Sequence, residues 1–389
     1  MALKRVSVVV IGGASAGLGV SHGLLRQVPN VTVTLINPSN EYYFNLASPR
    51  IIAKPNSLSS SKYLYSITDA FNSYPKTSFN FIKGMVVGID TETQTVTISK
   101  NASSLSTGPV PFDYLVIASG STTPASIGQS GLRVPFKTGG FEDVSTTIRE
   151  AQEAIKCARS VIVGGGGPLG VEVAAELVEA NDPKKEVTLI SATDLLLPGV
   201  KESVRIRAEM LLTRKGVTMI KSTAIEHVNQ DPISKKWIAR LSNGKVLMAD
   251  AYISATGVLP NNQFIPLSFL NKQGWVNVDE FFQVKEGETS KFNIYAIGDI
   301  TSHPYRLLSR IPKQVETVLA NIKASITQHG TLVSYSAEAQ RKMMVVPVGD
   351  SSGTGQFGNW TLPGLIVWYF KGKDFLTYKA PAYLMGTAA

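Results

Sequence analysis

A duplication restricts the fold of this chain more than any other feature. An apolar strand, a glycine-rich turn and a helix occupy residues 6–27, and the same unit returns at residues 160–179. Val6 to Ile11 and Val161 to Val163 carry no polar alternation, the pattern of parallel strands buried on both faces. The first turn reads Gly12-Gly13-Ala14-Ser15-Ala16-Gly17, a G-x-G-x-x-G spacing with Ala14 at the middle glycine. The second, Gly165-Gly166-Gly167-Pro168-Leu169-Gly170, is complete. An ordinary strand-to-helix turn also uses glycine, but this spacing suits a pyrophosphate. The first glycine makes the bend, the middle small residue admits the phosphates, and the last lets helix and strand pack. Amides at the helix N-terminus then hold the anion. Two such units predict two dinucleotide sites on an α/β chain of two Rossmann-like folds.

The remaining segments fit around these units. Val31 to Ile36 is placed as the strand returning beside the first, as a βαβ crossover requires. Residues 85–98 alternate around Asp90-Thr91-Glu92-Thr93 and predict a hairpin, and Tyr114 to Ala118 predicts another buried strand. In the second unit Val187 to Ile190 is the return strand, residues 225–247 a meander, and Tyr252 to Ala255 a closing strand. Glycine, serine and proline cluster between Gly120 and Gly131, which marks a crossing between folds. The expected division is a first dinucleotide domain from 1–122 and 258–330, a second from 123–257, and a small C-terminal α+β domain from 331–389. A length of 389 residues accommodates it. The first domain resumes in the strand Ile294 to Ile297, which runs into Gly298-Asp299; the C-terminal domain offers a strand at 343–348 and a helix or strand at 365–370.

The ends of the two return strands bear on ribose recognition, where an acid is expected about 20 residues after the turn. Asn37 stands there in the first unit and can accept through its amide oxygen. Ser191 stands there in the second, so no carboxylate favours NAD over NADP and either nucleotide remains open. Glu172 follows the second turn by two residues, where an acid also stabilises the helix dipole.

Taken together, the turn at residues 12–17, the turn with Gly-Val-Glu at 165–172, Ser254-Ala255-Thr256-Gly257, and Ile294-Tyr295-Ala296-Ile297-Gly298-Asp299 resemble the two-dinucleotide flavoprotein reductases. These include type II NADH dehydrogenases and apoptosis-inducing factor. The likeness runs nearly end to end and is greatest to the ferroptosis suppressor group and its fungal relatives, with Gly353-Thr354-Gly355-Gln356 and Lys373-Asp374-Phe375 as a C-terminal match. The resemblance implies noncovalent FAD in the first fold, with Asp299 bonding the ribityl chain and Gly298 allowing close approach. It implies NADH or NADPH in the second fold, with Glu172 beside the flavin and paired with a lysine, for which Lys54 is the candidate. Gly12, Ala14, Ser15, Ala16, Gly17, Asn37, Arg50, Ala118, Gly120, Gly165, Gly167, Pro168, Leu169, Gly170, Ser191, Gly257, Gly298 and Asp299 make up the expected cofactor-binding set, with Glu172 and Lys54 as the catalytic pair.

Composition narrows the chemistry further. The single cysteine, Cys157, excludes an internal disulfide or CxxC pair, so electrons on a flavin must leave for an external acceptor. In the resembling group that acceptor is a quinone, or oxygen and dyes by default, reached by a ping-pong route. The four histidines are not at metal-ligand spacing. A net charge of +9 attracts anions, but lysine and arginine do not form runs, so a solvated surface and no specific nucleic-acid partner are expected. Strand-forming residues begin at Val6, which leaves no room for a leader peptide, and no window of about 20 apolar residues exists, so a cytoplasmic protein is expected. Leu362 to Tyr369, with Trp360, Trp368 and Phe370, would pack on the flavin domain, line a quinone tunnel, or rest on a membrane with Lys371 and Lys373 toward the headgroups. The expected function is an FAD-dependent NAD(P)H oxidoreductase acting on a quinone-like acceptor. A reductase or oxidase of a secondary-metabolite pathway and a dinucleotide-sensing signalling protein are the alternatives.

Overall fold

The computed structural model describes residues 5–100, 107–129, 131–138, 140–180, 184–336 and 343–388. Val6–Ile11 lies at the heart of a six-stranded sheet, between Val31–Asn37 and Tyr114–Ile117 and parallel to both. Phe79–Lys83 continues one side; Thr289–Ala296 and Gln283–Glu286 continue the other. Both faces are covered, which is why the strand shows no polar alternation. Val8 and Val10 face a core shared with the helices Ser15–Gln27 and Ile311–Thr327, while Val9 and Ile11 face a core with Val86, Val96 and Ile98. The latter belong to the predicted hairpin, which gains a third antiparallel strand, Thr107–Pro111. The two helices approach through glycines: a β-carbon on Gly23 would stand 2.1 Å from the Leu319 side chain.

The second unit repeats the plan. Ser160–Gly164 pairs in parallel with Glu186–Ile190 and Ala251–Ser254, and Thr218–Ile220 extends the sheet to four strands. Val161 and Val163 join a core with the helix Pro168–Ala180, and Ile162 joins Ala239 and Leu241 of the antiparallel meander. Ser121–Thr122, leaving the first sheet, pairs antiparallel with Leu259–Pro260, returning from the second, so the two crossings lie side by side.

The C-terminal segment binds both units. Met343–Pro347, Gly353–Phe357 and Trp360–Thr361 form an antiparallel sheet whose Val346 enters the helical core of the second unit. Phe375, Ala380 and Tyr383 enter the helical core of the first. Between them the segment predicted as helix or strand is helical, Gly364–Val367, and continues into one π-helical turn, Trp368–Gly372.

Candidate functional site

Both glycine turns open into one cavity of about 1190 Å³. Gly12 and Gly165 have φ of +111° and +120°, and a β-carbon on either would lie 2.3 Å from a carbonyl oxygen, that of Ala118 or Ala255. Only glycine accepts that combination of backbone and crowding. The closing glycines match as well: a β-carbon on Gly17 or Gly170 would fall 1.9 Å from the oxygen of Gly12 or Gly165. They hold strand to helix and do not face the cavity. Ala14, Ser15 and Ala16 line it beside Gly12, and Gly167, Pro168 and Leu169 line it beside Gly165. First-turn amides, which have no partner within their helix, therefore serve both ends of the cavity. These two built anion cradles fit two dinucleotides.

Ala118, Gly120, Gly257 and Gly298 line the cavity from the ends of the central strands. The ribose positions are also at its wall. Asn37 accepts from the Gly13 amide at 2.8 Å and donates to the Ser39 carbonyl at 2.7 Å, so its oxygen is aimed by its own loop. Ser191 occupies the same place in the second unit and shares a 2.9 Å hydrogen bond with the Thr193 hydroxyl. Asp299 lies where the two crossings meet; its Oδ2 accepts from Lys137 at 2.5 Å and from Ser121 at 3.0 Å. Arg306, stacked 3.5 Å over Trp275, donates to the Asp299 carbonyl at 3.0 Å. Neither Lys137 nor Arg306 stands in a motif, and sequence reasoning missed both.

Two of the sequence assignments are corrected. Lys54 is not the partner of Glu172. It binds Glu176 at 3.1 Å, Glu179 at 3.0 Å and Asp350 at 2.8 Å, one and two turns further along the helix, away from the cavity lining. Glu172 is 4% exposed, lines the cavity, and accepts at 2.6 Å from Lys371, in the π-helical turn. Burial raises its carboxyl above the usual range, and the Lys371 ammonium works against that rise. Arg50 is not on the cavity wall either. All five of its donors are taken by protein: two bonds to Glu176, one to Asp350, and one each to the carbonyls of Gly372 and Lys373. Lys371, which would face headgroups if the aromatic stretch rested on a membrane, spends its amine on Glu172.

Two histidines serve packing, while His227 and His329 are exposed. His22 stacks on Phe71 at 3.9 Å and bonds Tyr74, and burial first, then Arg26, lowers its pKa to about 4. His303 is wedged between Phe282 and Tyr335. Among the described residues no three His, Cys, Asp or Glu gather as a metal site, and Cys157 is exposed. The C-terminal segment completes the cavity with Met344, Leu376 and Tyr383; Tyr383 lies beside Phe44 and Leu308, which line it with Leu46. Outside the cavity Trp360 is 80% and Leu365 73% exposed, with Tyr369 and Phe370 also open to solvent; Gly364 and Val367 are buried.

Residues 6–324 match the pyridine nucleotide-disulphide oxidoreductase family. The chain is 33% identical to an oxidoreductase, ptaL, of Pestalotiopsis fici, over 92% of this chain and 94% of that one. It is 29% identical to human ferroptosis suppressor protein 1, over 94% and 92%. The fold matches the sulfide:quinone oxidoreductase of Aquifex aeolicus with a TM-score of 0.77 at 19% identity, covering 98% of this chain and 92% of that one. It matches NDH2 of Plasmodium falciparum in complex with NADH with a TM-score of 0.70 at 15% identity, covering 99% and 98%.

Proposed function

Because the chain belongs to the pyridine nucleotide-disulphide oxidoreductase family, we propose that it carries electrons from NAD(P)H through FAD to a quinone or quinone-like small molecule. It is a pyridine-nucleotide-dependent flavin oxidoreductase, with FAD and NAD(P)H as cofactors. One observation carries the finer reading: both cradles share a cavity whose third wall, Leu376, Tyr383, Phe44, Leu46 and Leu308, is apolar and aromatic, while the chain has no cysteine pair to receive electrons. Such a wall suits a flat, weakly polar ring.

Bound FAD would supply the chemistry of hydride acceptance and onward electron transfer. The chain's part is to bind and orient. The turn at residues 12–17 and Asn37 hold the first dinucleotide, and Asp299, steadied by Lys137 and Ser121, offers its carboxylate to the ribityl hydroxyls. The second turn, Ser191 and Gly257 hold the nicotinamide nucleotide, and Glu172 on Lys371 presents a polar pair where the two meet. The hydride step needs no general acid or base, so packing and exclusion of water decide its rate.

The test is the spectrum of the purified protein, followed by anaerobic NADH or NADPH and then a short-chain quinone. Bound flavin that bleaches with nucleotide and regains colour with quinone supports the reading, with parallel double-reciprocal lines for the ping-pong route. Bleached flavin that quinone leaves unoxidised rejects the acceptor. Replacing Asp299 with Ala lowers FAD content; full retention would remove Asp299 from its role.

We also infer peripheral lipid contact through Trp360, Leu365, Tyr369 and Phe370, exposed apolar and aromatic residues of the C-terminal segment, with Lys373 4.6 Å from the Tyr369 ring. Co-sedimentation with anionic vesicles, lost on Trp360→Ser with Leu365→Ser, is the expected outcome. Equal sedimentation of both proteins rejects it.

A further inference from the structure

Glu172, Glu176 and Glu179 fall on one face of the helix Pro168–Ala180, and together with Asp350 they bring four acids against Lys371, Arg50, Lys54 and Lys215. One pair of this group, Glu172 with Lys371, reaches the cavity. Lys371 depends for its position on a single π-helical turn, and the carbonyls at the end of such a turn have no partners within it. Gly372 and Lys373, the next two residues, direct theirs at Arg50, at 2.7 and 3.1 Å from Nη1. The other edge of the same guanidinium lies flat against Glu176, at 3.1 Å from Nε and 2.8 Å from Nη2, one helical turn from Glu172. Phe375 closes the space, with the guanidinium 4.7 Å and the Lys371 ammonium 5.6 Å from its ring centre.

We propose that Arg50 is a positioning residue for the nicotinamide side of the site: anchored on Glu176, it grips the Gly372 and Lys373 carbonyls and thereby fixes Lys371 against Glu172. The inference rests on the reading above that this pair faces the nicotinamide. It specifies arginine because a planar fork bonds a carboxylate on one edge and two carbonyls on another, which an ammonium with three donors at one point does not span. Arg50 touches no reacting atom. It links the helix that carries Glu172 to the C-terminal segment that carries Lys371.

The experiment compares wild type, Arg50→Lys and Arg50→Gln by FAD content and by the rate of flavin bleaching at saturating NADH, without oxygen, across pH. Both variants retain FAD and bleach more slowly by roughly tenfold to a hundredfold, the cost of a misplaced contact pair. In Arg50→Gln the acid limb of the rate profile also moves to higher pH, because Glu172 loses the Arg50 charge that favours its carboxylate and still faces Glu176, which keeps Lys54 alone. Arg50→Lys restores that limb and not the rate. A packing role alone would lower thermal stability and leave the rate at saturation and its pH profile in place. Wild-type rates in flavin-loaded Arg50→Gln overturn the proposal; should that variant not fold, a wild-type rate in Arg50→Lys does so. If the wild-type flavin is itself not bleached by NADH or NADPH, the proposed function has failed and this inference with it; variants that match a bleaching wild type refute Arg50 alone.

Discussion

At the scale of single residues, the ion pair of Lys371 with Glu172 is the charged contact of its cluster that reaches the cavity. An unpaired buried carboxylate costs about 3 kcal/mol or more, and the usual relief is uptake of a proton. Lys371→Met should therefore leave Glu172 neutral near pH 7. Anaerobic stopped-flow should find bleaching by NADH slowed at least tenfold with FAD content kept; an unchanged rate would remove the pair from the site. In the wild type the sign follows from burial. Glu172 has its carboxyl raised, so its charge is lost on acidification before that of an ordinary glutamate, and the bleaching rate should fall through a midpoint above the usual carboxylate range. Glu172→Gln should abolish that limb. Glu172 was legible as a motif residue two positions beyond a glycine turn, but its partner was not. Lys371 is 199 residues away in the chain, within an aromatic run whose own pattern says nothing about a carboxylate. Lys54 and Arg50, next to a recognisable Pro49, were plausible by type, and the helix face assigns them to Glu176 and Glu179 instead.

At the scale of elements, the two strand-turn-helix units agree to the ångström. The carbonyl that crowds Gly12 belongs to the end of a neighbouring strand, Ala118, and Ala255 does the same to Gly165. This explains why the units were readable from sequence: everything that defines them is local or lies one strand away. It also separates the cofactors experimentally. Gly17→Ala drives a β-carbon into the Gly12 carbonyl and should give colourless protein, losing about 1–3 kcal/mol of packing in the first unit. Gly170→Ala does the same to Gly165 and should give yellow protein that NADH no longer bleaches. Absorbance before and after NADH checks both, and loss of flavin from the second variant would contradict the assignment of turns to cofactors. The π-helical turn was not legible, since Trp368 to Gly372 has no helical period of its own and is shaped by Arg50 and Glu172.

At the scale of the whole molecule, the C-terminal segment straddles both units. Charge holds it there as well as packing. Asp350 and Glu179 are kept below the usual carboxylate range: burial pushes them up, but hydrogen bonds to lysine, Lys54 for Asp350 and Lys215 with Lys54 for Glu179, outweigh it. Carboxyls depressed in the folded state stabilise it above their ordinary titration range, and that contribution is lost as pH falls through the depressed values. As the pH falls below the ordinary carboxylate range the segment should loosen first, read as proteolysis near residue 350 before flavin is released; simultaneous release would oppose it. A different consequence follows from the paired crossings, Ser121–Thr122 against Leu259–Pro260. During synthesis every strand of the four-stranded sheet is available once residue 254 has emerged. At that moment the older, larger sheet still lacks Thr289–Ala296, and Tyr114–Ile117 is left as a bare edge. The later-encoded fold therefore completes its sheet before the one that encloses it, although Val346 joins its core later, and a nascent chain exposed to just past Pro260 should protect its second half from protease more than its first.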